Sequence, residues 1–181
     1  MSSSSDKALF YAFCALLVWL PLPLASNIPW AWSVMEVWTA LLFVVWCWLF
    51  FQSKVVISKS CYAARYVLVF FGVWLVYIVL QIIPLPLALL ETVSPLSLEH
   101  WTTIGKTARA SISVEPKITR VSLLLSISYF LIFFLTLVLV TNRKRLKTLA
   151  YTLVCSGLFQ AVYGAVMTLS NWEYGFFIKK Y

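Results

Sequence analysis

The chain has 181 residues, 62% of them hydrophobic and only 11% charged, with a formal net charge of +8 and a mean hydropathy of +0.92. Soluble domains hold nearer one-half apolar residues, so this composition excludes an ordinary soluble enzyme and indicates a membrane protein. The positive charge does not imply a nucleic-acid partner, because the cations lie between apolar runs rather than on one face of a soluble module.

A helix that crosses a bilayer needs about 20 mostly apolar residues to cover roughly 30 Å of hydrocarbon. Five runs read as such spans, at residues 8–25, 30–51, 66–83, 117–140 and 149–169. The predicted fold is therefore all-α, a polytopic membrane helix bundle in a single membrane region.

The chain opens on a short Ser-rich polar leader up to Lys7, and the first apolar run ends at Pro21-Leu22-Pro23. A signal peptide cleaved near Ala25-Ser26 is the competing reading of that run. Ser26-Asn27-Ile28-Pro29 reads as a tight turn, after which Pro29 takes the first position of the second helix, where its missing N–H is no loss. Trp30 and Trp32 near the start of that helix, and Trp46 and Trp48 near its end, suit the two aromatic belts of a bilayer.

Residues 52–65 carry Lys54, Lys59 and Arg65 with no acid, and Asn142 to Lys147 holds a second acid-free basic cluster. Short loops dense in Lys and Arg stay in the cytoplasm, which predicts the N-terminus inside and the C-terminus outside. Lys7, Lys54, Lys59, Arg65, Arg143, Lys144, Arg145 and Lys147 then fall inside. Lys106, Arg109, Lys117, Arg120, Lys179 and Lys180 fall outside.

The third span ends at Pro84-Leu85-Pro86, which breaks the helical hydrogen-bond ladder. The outer loop, 84–116, begins with an apolar piece at residues 87–90, too short to span. Ser94-Pro95 then predicts a cap and first residue of a short surface helix with Trp101, Ile104 and Ala108 on one face. Ile112 and Val114 alternate with serines in an extended piece, and Pro116 opens the fourth span. In the fifth, Ser156, Gly157 and Gly164 are small enough to let another helix approach closely.

No phosphate-cradling glycine loop, H-E-x-x-H or nucleophile elbow is present. Cys14, Cys47, Cys61 and Cys155 match no metal-ligand spacing, and His100 is the single histidine, so neither metal nor cofactor is expected. No disulfide is expected either. Chemistry must rest on polar groups at or within the bilayer. Glu36 lies about two turns into the second span, where an acid is costly and marks function, or else reaches headgroups or hydrogen-bonds while protonated.

Lys117 and Arg120 sit at the start of the fourth span, where helix amides already favour anions. They form a candidate diphosphate clamp or snorkel to the interface. Gln160 and Tyr163 share a face of the fifth span and either bond a neighbouring helix or line a polar path. His100 and Trp101 either touch a sugar or are a solvated His beside an interfacial Trp.

Three stretches carry a family resemblance. They are Pro21-Leu22-Pro23-Leu24-Ala25-Ser26-Asn27-Ile28-Pro29-Trp30-Ala31-Trp32, Ser113-Val114-Glu115-Pro116-Lys117-Ile118-Thr119-Arg120 and Gly157-Leu158-Phe159-Gln160-Ala161-Val162-Tyr163-Gly164, in that order. Together they resemble the N-terminal portion of bacterial O-antigen ligases and O-antigen polymerase-like membrane proteins. Where that family has Gly and Arg before the Pro-Trp, this chain has Ala25 and Ile28.

The resemblance implies glycan transfer from an undecaprenyl-diphosphate-linked donor at the periplasmic face of the bacterial inner membrane, without metal, in lipopolysaccharide or envelope polysaccharide biosynthesis. Arg120, then Lys117 and Arg109, are the residues it offers for holding the diphosphate. Family members continue into further spans and a large periplasmic loop carrying Arg and His, so the chain is expected to be the front part of such a protein, inactive alone. The alternative is a small non-enzymatic membrane protein acting as an assembly or export partner of another membrane protein.

Overall fold

The computed structural model describes residues 4–22, 29–105 and 108–169. The expected turn at Ser26-Asn27-Ile28, the cleavage site near Ala25-Ser26, Lys106, and the C-terminal segment with Lys179 and Lys180 lie outside the described residues. The described chain is almost entirely helical. In order it forms α1 (Ser4–Trp19), α2 (Pro29–Phe51), α3 (Lys59–Ala63), α4 (Arg65–Ile82), β1 (Leu85–Pro86), α5 (Leu87–Val93), α6 (Pro95–Thr103), β2 (Arg109–Ala110), α7 (Pro116–Leu139) and α8 (Arg143–Leu169).

Four of these, α2, α4, α7 and α8, are long and apolar enough to cross a membrane. The expectation of five spans differs at the first. Helix α1 has 16 residues and covers about 24 Å, short of the roughly 30 Å of hydrocarbon. It is displaced towards the N-terminus relative to the predicted run. Pro21 cannot extend the helix and disfavours helical geometry at Leu20, so α1 ends at Trp19. At the other end the polar leader is itself helical from Ser4, with Asp6 in the first turn, where a carboxylate is favoured by the helix dipole.

The chain divides into two compact units. The first holds residues 1–63 and 131–181, hence α1, α2, α3, the last part of α7 from Leu131, and α8. Its core is the face of α1 bearing Phe13 and Leu16, both fully buried, packed against Met35, Leu42 and Trp46 of α2. Trp46 meets Phe134 of α7 edge to face at 5.0 Å, and Phe43 meets the same ring at 5.9 Å. Aromatic pairs of this kind add about 0.5–1.5 kcal/mol beyond burial.

Helix α2 stops in a Schellman turn. Lys54 N–H donates to Leu49 O, Ser53 N–H to Phe50 O, and Ser53 takes the left-handed φ of 54° that glycine usually supplies. The basic loop that follows is partly ordered. Ser58 caps α3 by accepting from Cys61 N–H at 3.1 Å while donating to Leu137 O at 2.5 Å. Burial pushes the Cys61 thiol up, so it stays protonated and inert at neutral pH.

The basic cluster 143–147 is not a loop. Only residues 140–142 separate α7 from α8, and the cluster forms the first turn and a half of α8. Asn142 caps it, its Oδ1 accepting from Arg145 N–H at 2.8 Å, which satisfies one of the orphan donors of the helix start. Because Thr141 is exposed in this link, a Thr141→Cys variant tests the orientation. It is expected to resist an impermeant thiol reagent in intact cells beyond the wild-type background. Labelling there would invert the expected topology.

The second unit is residues 64–130. Pro84 ends α4 as expected, leaving Ile83 extended at ψ 128°. The chain then makes a one-rung ladder, Leu85 opposite Ala110 and Pro86 opposite Arg109, antiparallel, which ties the start of the polar segment to its end. Ser113 N–H donates to Gln81 O at 2.9 Å, closing the same end of the unit. The apolar piece after Pro86 is the short helix α5, about two turns long, with Leu90 fully buried.

Pro95 is the first residue of α6, as predicted. Ser94 Oγ bonds Ser97 Oγ at 2.8 Å rather than capping a backbone amide. The shared face of Trp101, Ile104 and Ala108 is not formed. Gly105, at φ 85°, terminates the helix just after Ile104, so Ala108 is no longer on it.

Candidate functional site

Three of the expected cations belong to the second unit, one on β2 and two in the first turns of α7. Arg109 is held by the ladder opposite Pro86, and Lys117 and Arg120 occupy the first turns of α7, three residues apart and so on one face. Pro116 places that helix start: its fixed φ suits the first helical position, and Ser113 Oγ pairs with Thr119 Oγ1 at 2.7 Å to hold the preceding turn. All three cationic side chains are exposed, and none has a hydrogen-bond or ion-pair partner among the described residues. The arrangement leaves their charge available to an anion from outside the chain.

Trp101 lies in the same segment, but its indole N–H donates to Ser111 O at 2.9 Å and its ring is half-buried. That bond, with Ser97 Oγ donating to Ile112 O at 2.7 Å, pins residues 111–112 onto α6, and the expected extended piece is limited to Arg109–Ala110, because residues 112–114 bend. Trp101 is a strut of this segment. His100 meets it edge to face at 5.6 Å and is exposed.

The intramembrane candidates Glu36, Gln160 and Tyr163 belong to the first unit. Glu36 is half-buried on α2 beside the buried Met35 and Thr39, with no hydrogen-bond or ion-pair partner among the described residues. An acid at the centre of a span costs about 2.5–3.5 kcal/mol on insertion scales and less near the interface. Glu36→Leu is therefore expected to raise the stability of the purified protein by about 1 kcal/mol, read as a higher thermal midpoint in detergent. A fall would reveal a compensating partner.

Gln160 donates through its amide nitrogen to Pro21 O, in the turn that follows α1. Tyr163 stacks on Phe159 at 6.2 Å, nearly parallel at 8°. Gly157 and Gly164 face open space, where an added Cβ would meet nothing within 4 Å. Of the three small residues, only Ser156 is buried.

A polar centre that sequence reasoning missed lies at the foot of α8. Arg145 is buried and grips Asp6 of α1 with both guanidinium nitrogens, Nη2 to Oδ2 at 2.6 Å and Nη1 to Oδ1 at 3.2 Å. Nη1 also donates to Leu139 O at 2.8 Å, and the guanidinium lies 5.1 Å over the Phe10 ring. The partners are 139 residues apart, so no local spacing announces the pair. Its only signal was an acid within the first turn of an otherwise apolar N-terminal helix.

Among the described residues, no three His, Cys, Asp or Glu side chains gather as a metal site. No protein-family model, curated protein or solved structure matches this chain.

Proposed function

We propose that the chain is the membrane part of an O-antigen ligase or polymerase-like glycan transferase, in which Arg120, with Lys117 and Arg109, holds the diphosphate of an undecaprenyl-linked donor at the periplasmic face of the inner membrane. The observation that carries this reading is the pair of exposed cations in the first turns of α7, Lys117 and Arg120, without hydrogen-bond or ion-pair partners among the described residues. In glycan transfer the diphosphate is the leaving group. Fixed cations and helix-start amides stabilise the negative charge that develops on it. The resemblance of the three sequence stretches supports the same class of substrate.

In this reading α2, α4, α7 and α8 supply the scaffold, and the outer segment, tied to α6 by the Trp101 and Ser97 bonds, carries Arg109 on the strand opposite Pro86. The acceptor hydroxyl is activated by groups outside those described here. The test is complementation. The whole gene product, expressed in a strain lacking its own ligase or polymerase, is expected to restore the lipopolysaccharide ladder. Absence of laddering at normal membrane abundance would overturn the proposal in favour of a non-enzymatic partner protein.

A further inference from the structure

The run Arg143 to Lys147 serves two ends. Arg145 turns inward onto Asp6, whereas Arg143, Lys144 and Lys147 line, with Thr148 and Tyr151, an open hollow of about 500 Å³ on one face of α8. None of the three outward cations has a hydrogen-bond or ion-pair partner among the described residues. Immediately beyond lies a second hollow, of about 510 Å³, between α1 and α8. Val18 and Leu22 form one wall, Cys155 and Phe159 the other, and Thr148 and Tyr151 belong to both hollows.

The two are consecutive on one helix face. Lys144, Thr148, Tyr151, Cys155 and Phe159 recur at intervals of three and four residues, so they stack along α8 from its basic end into its apolar length. From Thr148 to Phe159 the face runs about 16 Å, close to one leaflet of a hydrocarbon core roughly 30 Å thick. A basic hollow at a helix foot, continuous with an apolar groove one leaflet deep, matches an amphiphile with an anionic head and a hydrocarbon tail. Clusters of Lys and Arg at the end of a membrane-spanning helix attract anionic headgroups in this way.

We infer that this face is a binding site for one anionic diacylglycerophospholipid, its phosphate among Arg143, Lys144 and Lys147 and one acyl chain in the groove between α1 and α8. A zwitterionic lipid fits less well, because its own ammonium group meets the three cations. The site is separate from the cations at Lys117 and Arg120 and is read out without any transfer reaction, so its fate does not depend on the glycan-transferase reading.

The test is native mass spectrometry of the full chain in detergent, titrated with dioleoyl phosphatidylglycerol or dioleoyl phosphatidylcholine. The wild type is expected to prefer phosphatidylglycerol by about tenfold. The triple variant Arg143→Gln, Lys144→Gln, Lys147→Gln should lose that preference, and Lys54→Gln with Lys59→Gln should keep it. Cys155→Trp, or Val18→Trp from the opposite wall, fills the groove and should weaken phosphatidylglycerol binding. Glycerol 3-phosphate, a head without chains, should not displace the lipid. Equal binding of the two lipids by the wild type would overturn the inference. So would a preference that survives the triple variant, or displacement by glycerol 3-phosphate.

Discussion

Asp6→Ala is expected to destabilise the protein by about 3–5 kcal/mol, because it strands a buried cation. Arg145 and Asp6 are 9% and 14% exposed, and Arg145 points away from water into the packing of α1, α7 and α8. Leu139 O and the Phe10 face remain to it after the substitution, which favours the lower part of that range. Asp6→Leu combined with Arg145→Met removes both charges and fills the space with carbon. That double variant should recover most of the loss, since a buried pair often does little better than well-packed apolar residues. Urea or thermal unfolding in detergent, with the two single variants completing the cycle, measures the coupling. A loss below about 1 kcal/mol for Asp6→Ala would mean that the pair is hydrated and unimportant to the fold.

This pair also shows where sequence reasoning stops. The four long helices were legible because apolar length is a local property, and the prolines at 29, 95 and 116 marked helix starts for the equally local reason that their missing N–H has no cost there. The start of α1 was misjudged because hydropathy undervalues the polar first turn, which is helical and has a distant partner for its acid. The same blindness to distance put Arg145 in a uniform basic loop, whereas one of its cations is buried and its neighbours face a pocket. Gly105 was readable in principle: a glycine after a helical stretch is a stop signal, and heeding it would have kept Ala108 off α6. Arg120 and Lys117 could be assigned to a helix start from Pro116, but the ladder that holds Arg109 opposite Pro86 joins residues 23 positions apart and was not visible.

Arg120→Ala is expected to lower glycan transfer by about 10²-fold while leaving the protein at wild-type abundance in the membrane. The two halves of that statement have separate origins. Arg120 is exposed and has no hydrogen-bond or ion-pair partner among the described residues, so its truncation should change stability by no more than about 0.5 kcal/mol. Its effect must therefore come from a bound anion. A guanidinium can offer two parallel N–H donors to one phosphoryl group, whereas an ammonium is a point charge. Arg120→Lys should therefore recover only part of the activity. Lys117→Gln, one helical turn away, removes charge without removing a fork and should cost less than Arg120→Ala. The measurement is the lipopolysaccharide ladder of a ligase- or polymerase-deficient strain complemented with each variant of the whole gene product, scored against membrane abundance by immunoblot. Full laddering with Arg120→Ala would take Arg120 out of the site and leave its charge a snorkelling anchor at the interface.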